Sequence, residues 1–190
     1  EGDHQRARIV GLTGYTPQGA IQFPALGALV AHELDQPKLD LPGFVSIGPR
    51  NTSIGGGFLG PRYAPFVISG ESERRPPTGN SNLEIANLGL PSGLTEETYK
   101  NRLSLLAEIE NHSNLGSGHP VIDAMKASTE SATRLMRPEA TAAFKLDEEP
   151  ESVRSAYGTG VFGQGCLLAR RLVERGVSFV EVSLDGWDTH

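Results

Sequence analysis

Residues 162–184 read FGQGCLLARRLVERGVSFVEVSL, and the order of residue types in them decides the fold. From about Phe162 to Arg175 the apolar residues Leu167, Leu168, Leu172 and Val173 recur at helical spacing and mark an inward face. Gly176 then stops the helix, because a residue without a Cβ enters the left-handed conformation of a helix C-terminus at no steric cost. The strand expected from Val177 to Leu184 carries Val177, Phe179, Val180 and Val182 with almost no polar break, the pattern of a strand covered on both faces. Helix, glycine, buried strand is the repeating unit of an α/β fold with a mostly parallel sheet.

Upstream of this unit the chain reads as one domain. Residues 6–23 mix short apolar pieces with turn residues, notably Thr13-Gly14-Tyr15-Thr16-Pro17, and are expected to be mostly loop. Pro24 is placed to open a helix whose inward stripe would be Leu26, Leu29, Val30 and Leu34. Phe44, Val45 and Ile47, bounded by Pro42-Gly43 and Gly48-Pro49, form a short buried strand. From Pro49 to Ser92 the composition turns to Gly, Pro, Asn and Ser, so residues 49–92 read as an irregular Gly/Pro-rich insertion, either a working loop or a plain surface one. Thr95 to Asn111 predicts a helix with Leu103, Leu106 and Ile109 inward and Glu96 and Glu97 at its start. Pro120 opens another, with Val121, Ile122, Met125, Ala132 and Leu135 inward, and a short one follows from Pro138 to Phe144.

The 190 residues suffice for one sizeable core, and the 36 glycines and prolines predict long irregular connections. A formal charge of −6 with no basic stripe gives nothing to neutralise a phosphate backbone, which argues against nucleic acid, and the sign argues against anionic membranes. No run of about 18 apolar residues is present, so no membrane-spanning helix is expected. A single cysteine, Cys166, excludes an internal disulfide. It precedes Leu167-Leu168 in the helix and reads as a small buried side chain rather than a reactive thiol.

The chemistry is expected just past the last strand. In open α/β sheets ligands bind outside the carboxyl ends of the strands, and Asp185, Asp188 and His190 stand there. Carboxylate oxygen and imidazole nitrogen suit zinc and similar divalent ions, whereas Asp185-Gly186 also suits a turn with Asp188 as a cap and His190 in solvent. Trp187 among these acids would serve as the packed wall of a pocket. A competing motif, Gly158-x-Gly160-x-x-Gly163 before a helix with Asp185 beyond the next strand, approaches a dinucleotide-binding fingerprint. That fingerprint needs a buried strand before its first glycine, and Pro150 to Tyr157 is charged and helix-prone. No Gly-x-Ser-x-Gly elbow occurs to support a serine hydrolase. His4, beside Asp3, is a ligand candidate from another segment; His32 reads as a surface residue, and His112 and His119 as flanks of a helix connection.

The stretch Phe162 to Val177 followed by Gly186-Trp187-Asp188-Thr189-His190 closely resembles the bacterial, mostly exported family called domain of unknown function fifteen-oh-one. Leu12-Thr13-Gly14-Tyr15, Pro24-Ala25-Leu26-Gly27, the run from Gly57 to Phe66, and Phe144-Lys145-Leu146 with Glu149-Pro150 resemble it in the same order. The resemblance implies a place in the alkaline phosphatase and sulfatase superfamily: an α/β/α sandwich with one or two divalent metals held by Asp and His at the strand ends. By that resemblance Asp188 and His190 are metal ligands, with His4 a further candidate. It also implies an exported protein, periplasmic or extracellular, of which residues 1–190 are a central piece of one incomplete domain that needs the remainder of its own chain.

Three functions follow. The first is a metal-dependent hydrolase of small anionic phosphate or sulfate esters. The second is a non-catalytic exported protein that binds a surface glycan or assembles on a surface through residues 49–92. The third is a dinucleotide-binding domain.

Overall fold

The computed structural model describes residues 4–36, 38–48, 54–69, 83, 88–112 and 120–184. Three strands, β1 (Phe44–Gly48), β2 (Phe66–Ser69) and β3 (Phe179–Val182), form an all-parallel open sheet in the order β2-β1-β3. β1 is central and buried along its whole length, as a strand paired on both edges and covered on both faces must be. Its register pairs Phe44 with Phe179 and Ile47 with Val182 on one side, and Val45 with Phe66 and Gly48 with Ser69 on the other.

Seven helices accompany the sheet among the described residues: α1 (His4–Thr13), α2 (Leu26–Glu33), α3 (Glu96–His112), α4 (Pro120–Leu135), α5 (Pro138–Ala142), α6 (Glu151–Tyr157) and α7 (Val161–Glu174). The strand pleat sends Phe44 and Ser46 to one face and Val45 and Ile47 to the other. α7 lies on the second face, where a Cβ added at Gly165 would stand 3.1 Å from Ile47 Cγ2 and 3.2 Å from Val182 Cγ1. α2 lies on the first, with Gly27 against the rings of Phe44 and Phe179. The sheet is therefore covered by a helix on each face, the layering that the 162–184 unit predicts, but β3 is half-buried along its length rather than fully buried, because it pairs on one side only among the described residues.

The main core sits under α7. Leu168 and Leu172 are fully buried with Val45, Ile47 and Ile68, and Leu135, Ala140, Ala143 and Phe144 close the cluster. Each fully buried leucine contributes about 1.5–3 kcal/mol of transfer free energy. Gly176, at φ +95°, ends the helix, and the Val177 N–H bonds to the Leu172 carbonyl across the turn.

Several elements differ from the sequence expectation. Residues 4–13, within a stretch expected as loop, form α1, because Gln5 to Val10 are ordinary helix formers and turn chemistry starts only at Thr13-Gly14. Residues 49–92 contain β2 and two 3-10 turns, Gly57–Leu59 and Pro61–Tyr63; the strand is four residues long and too short to show a period. α2 buries Gly27, Ala28 and Ala31, while Leu26 is 55% exposed and Leu29 and Leu34 also face outward. Small residues win there because they let the helix approach the aromatic rings beneath. Leu106 and Ile109 on α3, Met125 on α4 and Val173 on α7 are likewise exposed, and Arg171 is buried in place of Val173. α3 meets α4 through Tyr99, whose hydroxyl lies 3.3 Å from Thr133 Oγ1 and donates to Met136 Sδ at 3.4 Å.

Candidate functional site at the carboxyl edge of the sheet

Parallel pairing brings the carboxyl ends of all three strands to one edge, marked by Gly48, Ser69 and Val182. The Ser183 N–H continues the ladder to the Ile47 carbonyl at 2.8 Å, and Leu184 is the last described residue of the chain. Asp185, Trp187, Asp188 and His190 follow from this edge and lie outside the described residues. His4 opens α1 with its side chain exposed. α1 is fixed at its other end, where Thr13, its buried residue, donates from Oγ1 to the Ile9 carbonyl at 2.7 Å and accepts from the Tyr15 N–H at 3.1 Å.

One acidic group at this edge was passed over in reading the sequence. Glu181 points to the α2 face of the sheet, one position before the end of β3, and its Oε1 accepts a hydrogen bond from Ser46 Oγ at 2.6 Å. Ser46 is only 5% exposed, so the hydroxyl is committed to this carboxylate, while Glu181 remains half-buried. The signal was present: Glu181 is the single charged residue between Val177 and Leu184, and a carboxylate inside a parallel strand needs a partner such as Ser46. The pair supplies an oriented carboxylate whose second oxygen has no protein partner among the described residues.

The N-terminus of α7 reaches the same edge, since Gly165 is level with Ile47 and Val182. Gln164 Nε2 donates to the Gly158 carbonyl at 2.5 Å, and a Cβ at Gly163 would fall 1.9 Å from the Tyr157 carbonyl, so the glycines serve tight packing of α6 on α7. α6 occupies the place where a dinucleotide fingerprint requires a strand. The Cys166 thiol is half-buried, and burial pushes its pKa up, against the direction that activates a thiol. His32 is exposed, with Nδ1 3.1 Å from Glu33 Oε1 and its ring edge-on to Tyr63. Among the described residues no three His, Cys, Asp or Glu side chains gather closely enough to hold a metal ion.

A separate charged cluster on α7 is structural. Glu149 receives Arg171 Nη1 at 2.5 Å and Arg170 Nη2 at 2.6 Å. The Arg171 hydrogen bond holds the Glu149 carboxyl below its ordinary range against the opposing effect of desolvation, with Arg170 adding to the lowering. A lowered folded pKa contributes stability that is complete above the unfolded value, ordinarily 4.5, and is lost as pH falls through the folded one. Urea denaturation should therefore show a stability gap between wild type and Glu149→Gln that is constant above about pH 5.5 and narrows below about pH 4.5. A gap independent of pH down to about pH 3 would exclude this linkage.

A family model described as a protein of unknown function (DUF1501) matches residues 1–190, so the chain belongs to that family. No curated protein and no solved structure matches it.

Proposed function

We propose that this member of the DUF1501 family is an exported, metal-dependent hydrolase of phosphate or sulfate esters, built on the alkaline-phosphatase-like sandwich that its resemblance implies. The observation that carries the reading is the direction of β3: an Asp, Asp, His stretch leaves the carboxyl edge of an all-parallel sheet, where ligand sites of this fold class form. Asp188 and His190 are the proposed ligands, with His4 as the third donor, and their oxygen and nitrogen atoms suit zinc or a similar divalent ion. Bound there, the ion would polarise an ester oxygen and lower the pKa of a nucleophile. Glu181, held by Ser46 at the same edge, adds a fixed negative charge that favours a cation nearby.

The test is elemental analysis of the full-length protein together with aryl-phosphate and aryl-sulfate hydrolysis. Wild type is expected to carry at least one divalent ion. Changing residues that merely hydrogen-bond to metal ligands costs about 10–100-fold, so Asp188→Ala and His190→Ala should each lower metal occupancy and activity at least a hundredfold. A wild-type protein that holds no divalent ion after dialysis against zinc, manganese or magnesium refutes the reading.

A further inference from the structure

At the opposite edge of the sheet a cavity of about 280 Å³ opens between the C-terminal end of α2, the second 3-10 turn and α4. Gly43, Pro65 and Ser178 on its floor immediately precede or approach the starts of the three strands, which separates it from the carboxyl edge. Its volume is slightly below the range of about 300–1,000 Å³ usual for small-molecule sites.

The charge on its wall is unbalanced. Arg62, Arg134 and Asp35 are its charged residues, two cations to one anion in a chain whose formal charge is −6. Asp35 is committed to Arg62, with Nη2 to Oδ2 at 2.7 Å. The guanidinium of Arg134, a half-buried residue on the last turn of α4, has no hydrogen bond or ion pair with any described residue. Both arginines also border an adjoining hollow of about 190 Å³, which Asp123, Lys126 and Glu130 of α4 line with them. Ser128 and Ser131 line the cavity from the same side of α4 as Arg134, being spaced at three-residue intervals along it. The rest of the wall mixes Leu34, Leu39 and Leu41 with Gln36 and Ser178.

We propose that this cavity binds a small oxyanion, held in a fork by the Arg134 guanidinium with Arg62 alongside and the Ser131 hydroxyl as a further donor. A planar guanidinium matches carboxylate and phosphate oxygens in pairs, and a guanidinium without an ion pair is stabilised by an anion brought to it. A carboxylate on a compact apolar body and an inorganic phosphate group would use the same donors. The site is independent of the proposed metal centre.

Titration calorimetry of the full-length protein with sodium benzoate and with inorganic phosphate tests it. At least one is expected to bind with one-to-one stoichiometry, and Arg134→Gln should weaken it tenfold or more, Ser131→Ala less, with Arg134→Lys intermediate. Preference for benzoate identifies a carboxylate on an apolar body; preference for phosphate identifies an inorganic anion. Asp188→Ala is expected to leave this binding unchanged, so that failure of the metal reading and failure of this one are separable. Absence of binding to both probes, or equal binding by an Arg134→Gln protein whose circular dichroism matches wild type, overturns the proposal.

Discussion

Arg171→Met is expected to lower the unfolding free energy of the chain by about 3 kcal/mol, the sum expected when a buried acceptor and a partly buried ionic network lose their donor together. The side chain is only 4% exposed although it sits on a helix with solvent on one side. Its Nε donates to the Ala143 carbonyl at 3.3 Å, Nη1 to Glu149 at 2.5 Å, and Nη2 to the Ala142 carbonyl and to Glu148, each at 3.1 Å. Arg171 thus satisfies carbonyls at the end of α5, which have no partner within their own helix, and ties the 146–149 segment to α7 in the same fork. Methionine keeps the apolar stem but has no donor. The Ala142 carbonyl retains the Lys145 N–H at 3.4 Å, whereas the buried Ala143 carbonyl keeps no partner among the described residues. Arg171→Lys should recover only part of the loss, because an ammonium cannot address three directions in one plane. Arg170→Gln, from a side chain 34% exposed, should cost less than about 1 kcal/mol. Chemical denaturation decides the matter: a loss below about 1 kcal/mol for Arg171→Met would show that the network is replaceable by packing alone.

The same residue shows where sequence reading reaches its limit. Apolar periodicity finds Leu167, Leu168 and Leu172 correctly, because burial on the sheet selects large side chains at that spacing. It then assigns Val173 inward and ignores Arg171, because nothing in the period records whether carbonyls and carboxylates from a distant segment will meet a guanidinium. The 162–184 unit and the buried β1 strand were legible, since both depend on local runs of one character. α1 and β2 were not: the first is weakly patterned, and the second is held by its register against Val45 to Gly48 rather than by its own composition. At the carboxyl edge, Asp188 and His190 stand out as residue types, while Glu181 was absorbed into an apolar run and emerges only when the register sets it beside Ser46.

Gly27→Val is expected to cost about 3 kcal/mol, while Leu26→Gln, one position earlier, should stay within about 0.5 kcal/mol of wild type. The apolar pattern of α2 argues the reverse, with Leu26 as a core residue and Gly27 as a helix defect. The geometry decides between them. A Cβ at Gly27 would lie 2.5 Å from Phe44 Cε2 and 2.7 Å from Phe179 Cδ1, well inside van der Waals contact. Those two rings pack edge to face, with centroids 5.5 Å apart and planes at 82°, directly over the start of β1 and β3. Phe44 is 1% exposed and Phe179 is packed against the same cluster, so neither ring can turn away without opening the sheet face. Alanine at this position gains up to about 1 kcal/mol of helix propensity and still has to displace a ring, so its net cost should be smaller than that of valine. Thermal and urea unfolding of the three variants provide the comparison. A neutral Gly27→Val would mean that α2 can lift from the sheet, and with it that the covered first face, the layer that distinguishes a sandwich from a sheet with helices on one side, is not fixed by this contact.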